Sequence, residues 1–190
     1  MMILVPASSL SEYKSKSPWN GYRLFAILEV NIIDYEGYSL FYIITDVENT
    51  ECKVKCAKKP TTPVSVTISS SVEISGKEYS VTSIGGKAFY RCESLTGIEI
   101  PNSVTSIGGN AFWFCSSLKV IKCYAEDVPE TGDYVFEGCP SDMTIYVPEV
   151  SLENYKATSP WNAFNILPLV AAGPAKVSLD VVAMPYEVTI

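Results

Sequence analysis

The chain repeats itself, and that periodicity restricts its possible folds more than any other feature. Residues 81–103, VTSIGGKAFYRCESLTGIEIPNS, and residues 104–126, VTSIGGNAFWFCSSLKVIKCYAE, agree at 12 of 23 positions. A third, degraded copy starts at Val128 and keeps Phe136, Cys139, Ile145 and Val147. A half copy, SVTISSS at 65–71, aligns with GIEIPNS at 97–103. One unit of this length cannot bury its own apolar side, but units stacked on one another can.

The spacing inside a copy sets out its local structure. Leu95, Ile98 and Ile100 recur as L-x-x-I-x-I, and the alternation Ile98-Glu99-Ile100 predicts a short strand with one face buried. Pro101 stops the strand. Val104 and Ile107 turn inward again, and Gly108-Gly109 supplies the conformational freedom for a tight turn. Ala111, Phe112 and Cys115 have helical spacing, which predicts one turn of helix or 3-10 helix. Phe89, Phe112 and Phe136 then form an aromatic column in the core. Cys92, Cys115 and Cys139 form a parallel column of buried thiols, which behave as small hydrophobes. One cysteine per turn offers no tetrahedral metal cluster.

A second duplication is of a different kind. Residues 3–24, ILVPASSLSEYKSKSPWNGYRL, match 145–166, IYVPEVSLENYKATSPWNAFNI, at 11 of 22 positions and a constant offset of 142. In the second copy a strand at 145–147 precedes a short helix from about Ser151, whose Leu152 and Tyr155, with Trp161, cover exposed core. A repeat stack needs such a cap. The first copy has the sequence of a cap with no stack before it. Residues 1–28 therefore read as the end of an upstream array. Strand 3–5 lacks its neighbour, so a swapped homodimer through residues 1–25 is one expectation. Residues 29–80 contain LEVNIID, YSLFYIITD and CKVKCA, which alternate as hairpin strands and lead into the half repeat. Residues 81–168 hold the repeats and the C-terminal cap. Residues 169–190 leave the pattern, and both a strand pair and a linker fit them.

Composition removes whole classes of function. The 190 residues include 14 basic and 21 acidic ones, a net charge of -7, the reverse of a nucleic-acid binder. There is no histidine. That excludes Ser-His-Asp and Cys-His catalysis and every histidine metal site. No C-x-x-C occurs among the six cysteines. Cys52 and Cys56 fall on one strand face but too far apart for easy bridging. The enzyme alternative rests on Glu126 with Asp127 or Asp133, in loops where acids are ordinary surface. No cofactor is implied. Lys53, Lys55, Lys58 and Lys59 make a local basic patch, read first as a solvated hairpin edge. The opening residues MMILVPASSLSEY carry no basic n-region, and the apolar run stops at Pro6, so they do not read as a secretory signal.

Two sets of outward residues are candidates for binding. Aligning the strands puts Thr67, Glu99, Lys122 and Tyr146 in one column, where Glu99 and Lys122 pair across strands about 4.8 Å apart. An exposed ion pair and a partner-touching face are both consistent with this. Trp113 and Phe114 stand where the neighbouring copies have Tyr90-Arg91 and Glu137-Gly138. Large apolar side chains are unexpected there. Cover by the tail or the N-terminal segment and a partner-binding patch are the two readings.

The pattern V-T-S-I-G-x-x-A-F-x-x-C-x-x-L-x-x-I-x-I-P-x-S resembles the BspA-like leucine-rich repeats of bacterial surface proteins. The likeness is dense over about 65–168 and extends to 3–24. It implies a right-handed leucine-rich repeat solenoid of short parallel strands and short helical or 3-10 turns. An N-terminal hairpin cap and a short C-terminal capping helix belong to that expectation. It also implies a non-enzymatic adhesion module outside the cell, meeting host or bacterial surface proteins, extracellular matrix or glycans. The alternative is a structural spacer, or a remnant of a larger repeat protein, with no ligand of its own.

Overall fold

The computed structural model describes residues 2–6, 23–27, 30–46 and 48–169. The expectations for the tail beyond Leu169 and for the helical part of the first duplicate lie outside these residues. The backbone of that duplicate contributes two strands, β1 (Met2–Pro6) and β2 (Arg23–Ile27), paired in parallel.

Three antiparallel strands come next, β3 (Val30–Tyr35), β4 (Tyr38–Asp46) and β5 (Glu51–Lys58). Leu40, Tyr42, Ile44, Cys52 and Val54 are buried, in step with the period of two that the sequence shows. After β6 (Val64–Thr67), β7 (Ser71–Ile74) and β8 (Lys77–Ile84) form a hairpin. Its turn residues Ser75 and Gly76 both have positive φ, as a two-residue turn that follows strand twist requires.

The copies then stack in parallel. The long strands β9 (Leu95–Ile100), β11 (Val120–Cys123) and β13 (Thr144–Val147) lie between β6 and β14 (Asn165–Pro168) in one five-stranded sheet. The short strands β10 (Ser106–Ile107) and β12 (Glu130–Thr131) extend a second sheet from β8, and β5 joins that sheet to the hairpin layer. Between the two sheets Ile98, Ile121 and Ile145 face Val81, Val104 and Ile107 in one core, all buried. The Phe column is present, Phe89 stacked on Phe112 at 5.4 Å and Phe112 on Phe136 at 5.7 Å, with ring planes 4° and 14° apart. Helix α1 (Leu152–Ala157) and the 3-10 turn Trp161–Ala163 follow the last repeat strand. Trp161 meets Phe136 edge-on at 5.2 Å, and buried Tyr155 donates its hydroxyl to Ala125 O at 2.9 Å.

The segments read as one turn of helix are not helical. Residues 85–92 and 108–115 run as successive tight turns, each closed by an i to i+3 bond such as Ala111 N to Gly108 O and Cys115 N to Phe112 O. Lys87, Asn110 and Tyr134 have positive φ, and so do Arg91, Phe114 and Gly138. A left-handed residue every fourth position prevents a helix from propagating. It also turns main-chain groups toward the next copy. Lys87, Phe89 and Arg91 N–H donate to Gly109, Ala111 and Trp113 O at 2.7–3.0 Å. Asn110, Phe112 and Phe114 N–H donate likewise to Asp133, Val135 and Glu137 O.

Gly108 also has a role different from the one expected. Its φ is not positive, and what excludes a side chain is proximity. A Cβ there would lie 2.4 Å from Gly86 N, because one turn packs its backbone directly on the next.

Candidate functional site

The strand alternation carries the sheet residues outward. Thr67 pairs with Glu99, Glu99 with Lys122, Lys122 with Tyr146 and Tyr146 with Leu167 across β6, β9, β11, β13 and β14. The structure thus brings together four of the six residues singled out in the sequence. Lys122 Nζ sits 2.8 Å from Glu99 Oε1, and the carboxylate's hydrogen bond and charge hold the ammonium above its ordinary pKa.

Beside this row is a shallow depression of about 490 Å³, lined by Thr67, Glu99, Asn102 and Tyr124 among others. Tyr124 also borders a second depression of about 340 Å³ with Asn102, Glu126 and Asp127. Sequence reasoning missed Tyr124. The signal was present, because it replaces Pro101 of the preceding copy and so puts an aromatic ring where a strand ends. Glu126 and Asp127 are exposed, and Asp133 belongs to the turn column, where its carbonyl accepts Asn110 N–H. Among the described residues no group of three or more Cys, Asp or Glu is arranged to hold a metal ion.

Trp113 and Phe114 lie in the turn column, apart from the sheet row. The tail and the helical part of the first duplicate, the expected covers, lie outside the described residues; the neighbouring repeats cover the pair in part. Trp113 stacks on Tyr90 at 4.8 Å with planes 5° apart, the aromatic at the same position one copy earlier. Phe114 tilts against Trp113 at 4.0 Å and lies over Gly138. A Cβ on Gly138 would fall 2.7 Å from the Phe114 ring, so the large residue in one copy requires the absent side chain in the next. Phe114 remains 42% exposed.

The turn column ends openly. Tyr134, Phe136 and Gly138 correspond to the donors Asn110, Phe112 and Phe114, yet their N–H groups find no acceptor among the described residues. A cavity of about 660 Å³ lies here, between this turn and residues 159–164.

The thiols sort by environment. Cys115 donates to Phe89 O at 3.1 Å and Cys139 to Phe112 O at 3.2 Å, so each thiol also links one copy to the previous one. Burial pushes Cys115 up to about 12, and Cys52 and Cys139 up to about 11. Cys92 is raised by its hydrogen bond to Cys56 and by burial. Cys56 is lowered by that same bond and by Lys59. All six cysteines are free, Cys52 and Cys56 included.

No helix among the described residues is long and apolar enough to cross a membrane. No curated protein sequence matches the chain. Its fold is similar to that of a leucine-rich repeat protein from Bacteroides capillosus ATCC 29799, with a TM-score of 0.53 and 25% identity over 73% of this chain and 98% of that one. A leucine rich cell surface protein from Faecalibacterium prausnitzii A2-165 aligns with a TM-score of 0.40 and 22% identity, over 63% of this chain and 37% of that one. The BspA type leucine rich repeat region matches in six copies over residues 65–165, the stretch that the strand and turn columns occupy. The chain therefore belongs to the BspA-type leucine-rich repeat family.

Proposed function

We propose that the chain is a non-catalytic binding module, displayed at a bacterial cell surface or secreted, that meets protein or glycan ligands through its repeat sheet. In this reading the copies form a short right-handed solenoid, residues 29–80 its N-terminal hairpin cap and opening half repeat, and residues 148–164 its C-terminal cap. Residues 1–28 are a duplicate of that closing unit. The strand registers support the duplication: Ile3 pairs with Leu24 as Ile145 pairs with Ile166, at the sequence offset of 142.

The observation that carries the reading is the row Thr67, Glu99, Lys122 and Tyr146 on four adjacent strands of the five-stranded sheet, bordered by exposed Tyr124. Parallel strands hold these side chains in fixed positions, so recognition loses little conformational entropy. Tyrosines beside mixed charge suit an interface, and the depressions at this face are shallow.

Binding of the purified chain to immobilised matrix proteins, mucins and glycans tests it, with Glu99→Lys and Tyr124→Ala variants first shown to be folded. A saturable signal that either variant abolishes supports the sheet face. A signal that both variants retain, with loss in Trp113→Ala, moves the site to the turn column. Silence across the panel favours the spacer, a reading that the internally satisfied Lys122–Glu99 pair also supports.

A further inference from the structure

Seven of the described basic side chains fall into two contrasting sets. Lys119, Lys122 and Lys156 each sit against a carboxylate, at 2.8, 2.8 and 3.0 Å from Asp142, Glu99 and Glu153. Lys55, Lys59, Lys87 and Arg91 have no carboxylate partner among the described residues, yet they converge on one flank. The Lys55 stem lies over Gly85, at the start of the first turn. Lys59 Nζ stands 5.6 Å from the Tyr90 ring centre and donates to Tyr90 O. Lys87 Nζ stands 6.0 Å from the same ring, and Arg91 Cζ stands 6.0 Å from the Trp113 ring.

Aromatic rings hold cations differently from carboxylates. A ring attracts the cation through its quadrupole and leaves the net charge in place, with the outward donors free. The stacked pair Tyr90–Trp113 therefore fixes three positive groups without neutralising them. They come from two sources: Lys59 from the end of the hairpin layer, and Lys87 and Arg91 from the first repeat. On a chain of net charge -7, such a cluster is a local reversal of sign. Exposed Phe114 extends the same aromatic stack.

We propose that this flank binds an acidic polysaccharide, with its carboxylate or sulfate groups on Lys59, Lys87 and Arg91 and its sugar rings against Phe114. The acidity of the rest of the chain disfavours a long duplex whose charge runs past the patch. A flexible glycan is able to touch the patch alone, and its C–H faces suit an aromatic edge. This surface is separate from the sheet row and does not depend on it.

Heparin is the probe for the test, with neutral dextran and single-stranded DNA in parallel at graded salt. Expected are binding to heparin that weakens as salt rises, no binding to dextran, and weaker binding to DNA. Lys87→Glu/Arg91→Glu should reduce heparin affinity about tenfold or more. Lys119→Glu/Lys156→Glu, the same charge change at paired sites, should leave it within about twofold, and so should the sheet variant Tyr124→Ala. Phe114→Ala should weaken binding at high salt, where the charge contribution is screened. No heparin binding by the unmodified chain overturns the proposal. So does equal loss in the two double variants, which would indicate net charge alone, and so does DNA binding as tight as heparin binding.

Discussion

The strand column and the turn column stack the same copies in contrasting ways. In β9, β11 and β13 the ladder hydrogen bonds hold the backbone and alternate residues point away, so the outward position accepts Glu99, Lys122 or Tyr146 without altering the stack. In the turns the copies touch backbone to backbone, through Gly86, Gly108, Gly109 and Gly132, and main-chain bonds form only because two residues per turn have positive φ. The strand side tolerates substitution of what faces out. The turn side couples outward residues to their neighbours, as Phe114 over Gly138 shows. A surface that varies freely is suited to recognition, whereas a surface made by coupled residues is rigid before any ligand arrives.

The contrast breaks first where both columns share the core. Phe112→Ala should cost about 3–5 kcal/mol in urea unfolding, because Phe89 and Phe136 cannot both close the cavity. An effect below about 1 kcal/mol would mean that the turns do not lean on the Phe column. Gly108→Ala should cost about 1–3 kcal/mol, since backbone and not a flexible side chain must move. Gly97→Ala is the useful companion: there the Cβ would meet Ser65 Oγ, a side chain able to rotate, and the loss should be smaller. Tyr134→Gly should stabilise by about 0.5–1 kcal/mol, because Tyr134 is 67% exposed and holds φ at 56°. A lower melting temperature in that variant would show that its ring makes contacts worth more than the strain.

The smallest effect belongs to the strand side. Glu99→Gln should return the Lys122 pKa toward its ordinary 10.5, read by NMR titration. Because the folded pKa is raised, this pair contributes below about pH 10.5 and is lost as pH rises through the folded value. A Lys122 titration unchanged by Glu99→Gln would remove the pair as an electrostatic feature of the row.

Much of the sheet row was readable. Thr67, Glu99, Lys122 and Tyr146 follow from aligning copies, since period-two alternation and equal spacing leave one register that buries Ile98, Ile121 and Ile145. The Phe and Cys columns follow by the same alignment. The turn was misread, because the spacing of Ala111, Phe112 and Cys115 suits a helix and a pair of tight turns equally well. Residue type gave no warning: Lys87, Arg91, Phe114 and Tyr134 are not residues that favour positive φ. Gly108 was noticed for its freedom and not for its crowding, which depends on the copy beneath it.

By itself, then, the sequence determined the register of the copies and which side chains enter the core, because burial selects among a few periodic alignments. Tertiary structure decided the backbone of the turns, the stacking of Trp113 on Tyr90, and the meeting of Lys59 with Lys87 and Arg91. Each of those depends on contact between segments 20 or more residues apart, and no local preference records which neighbour the stack will supply.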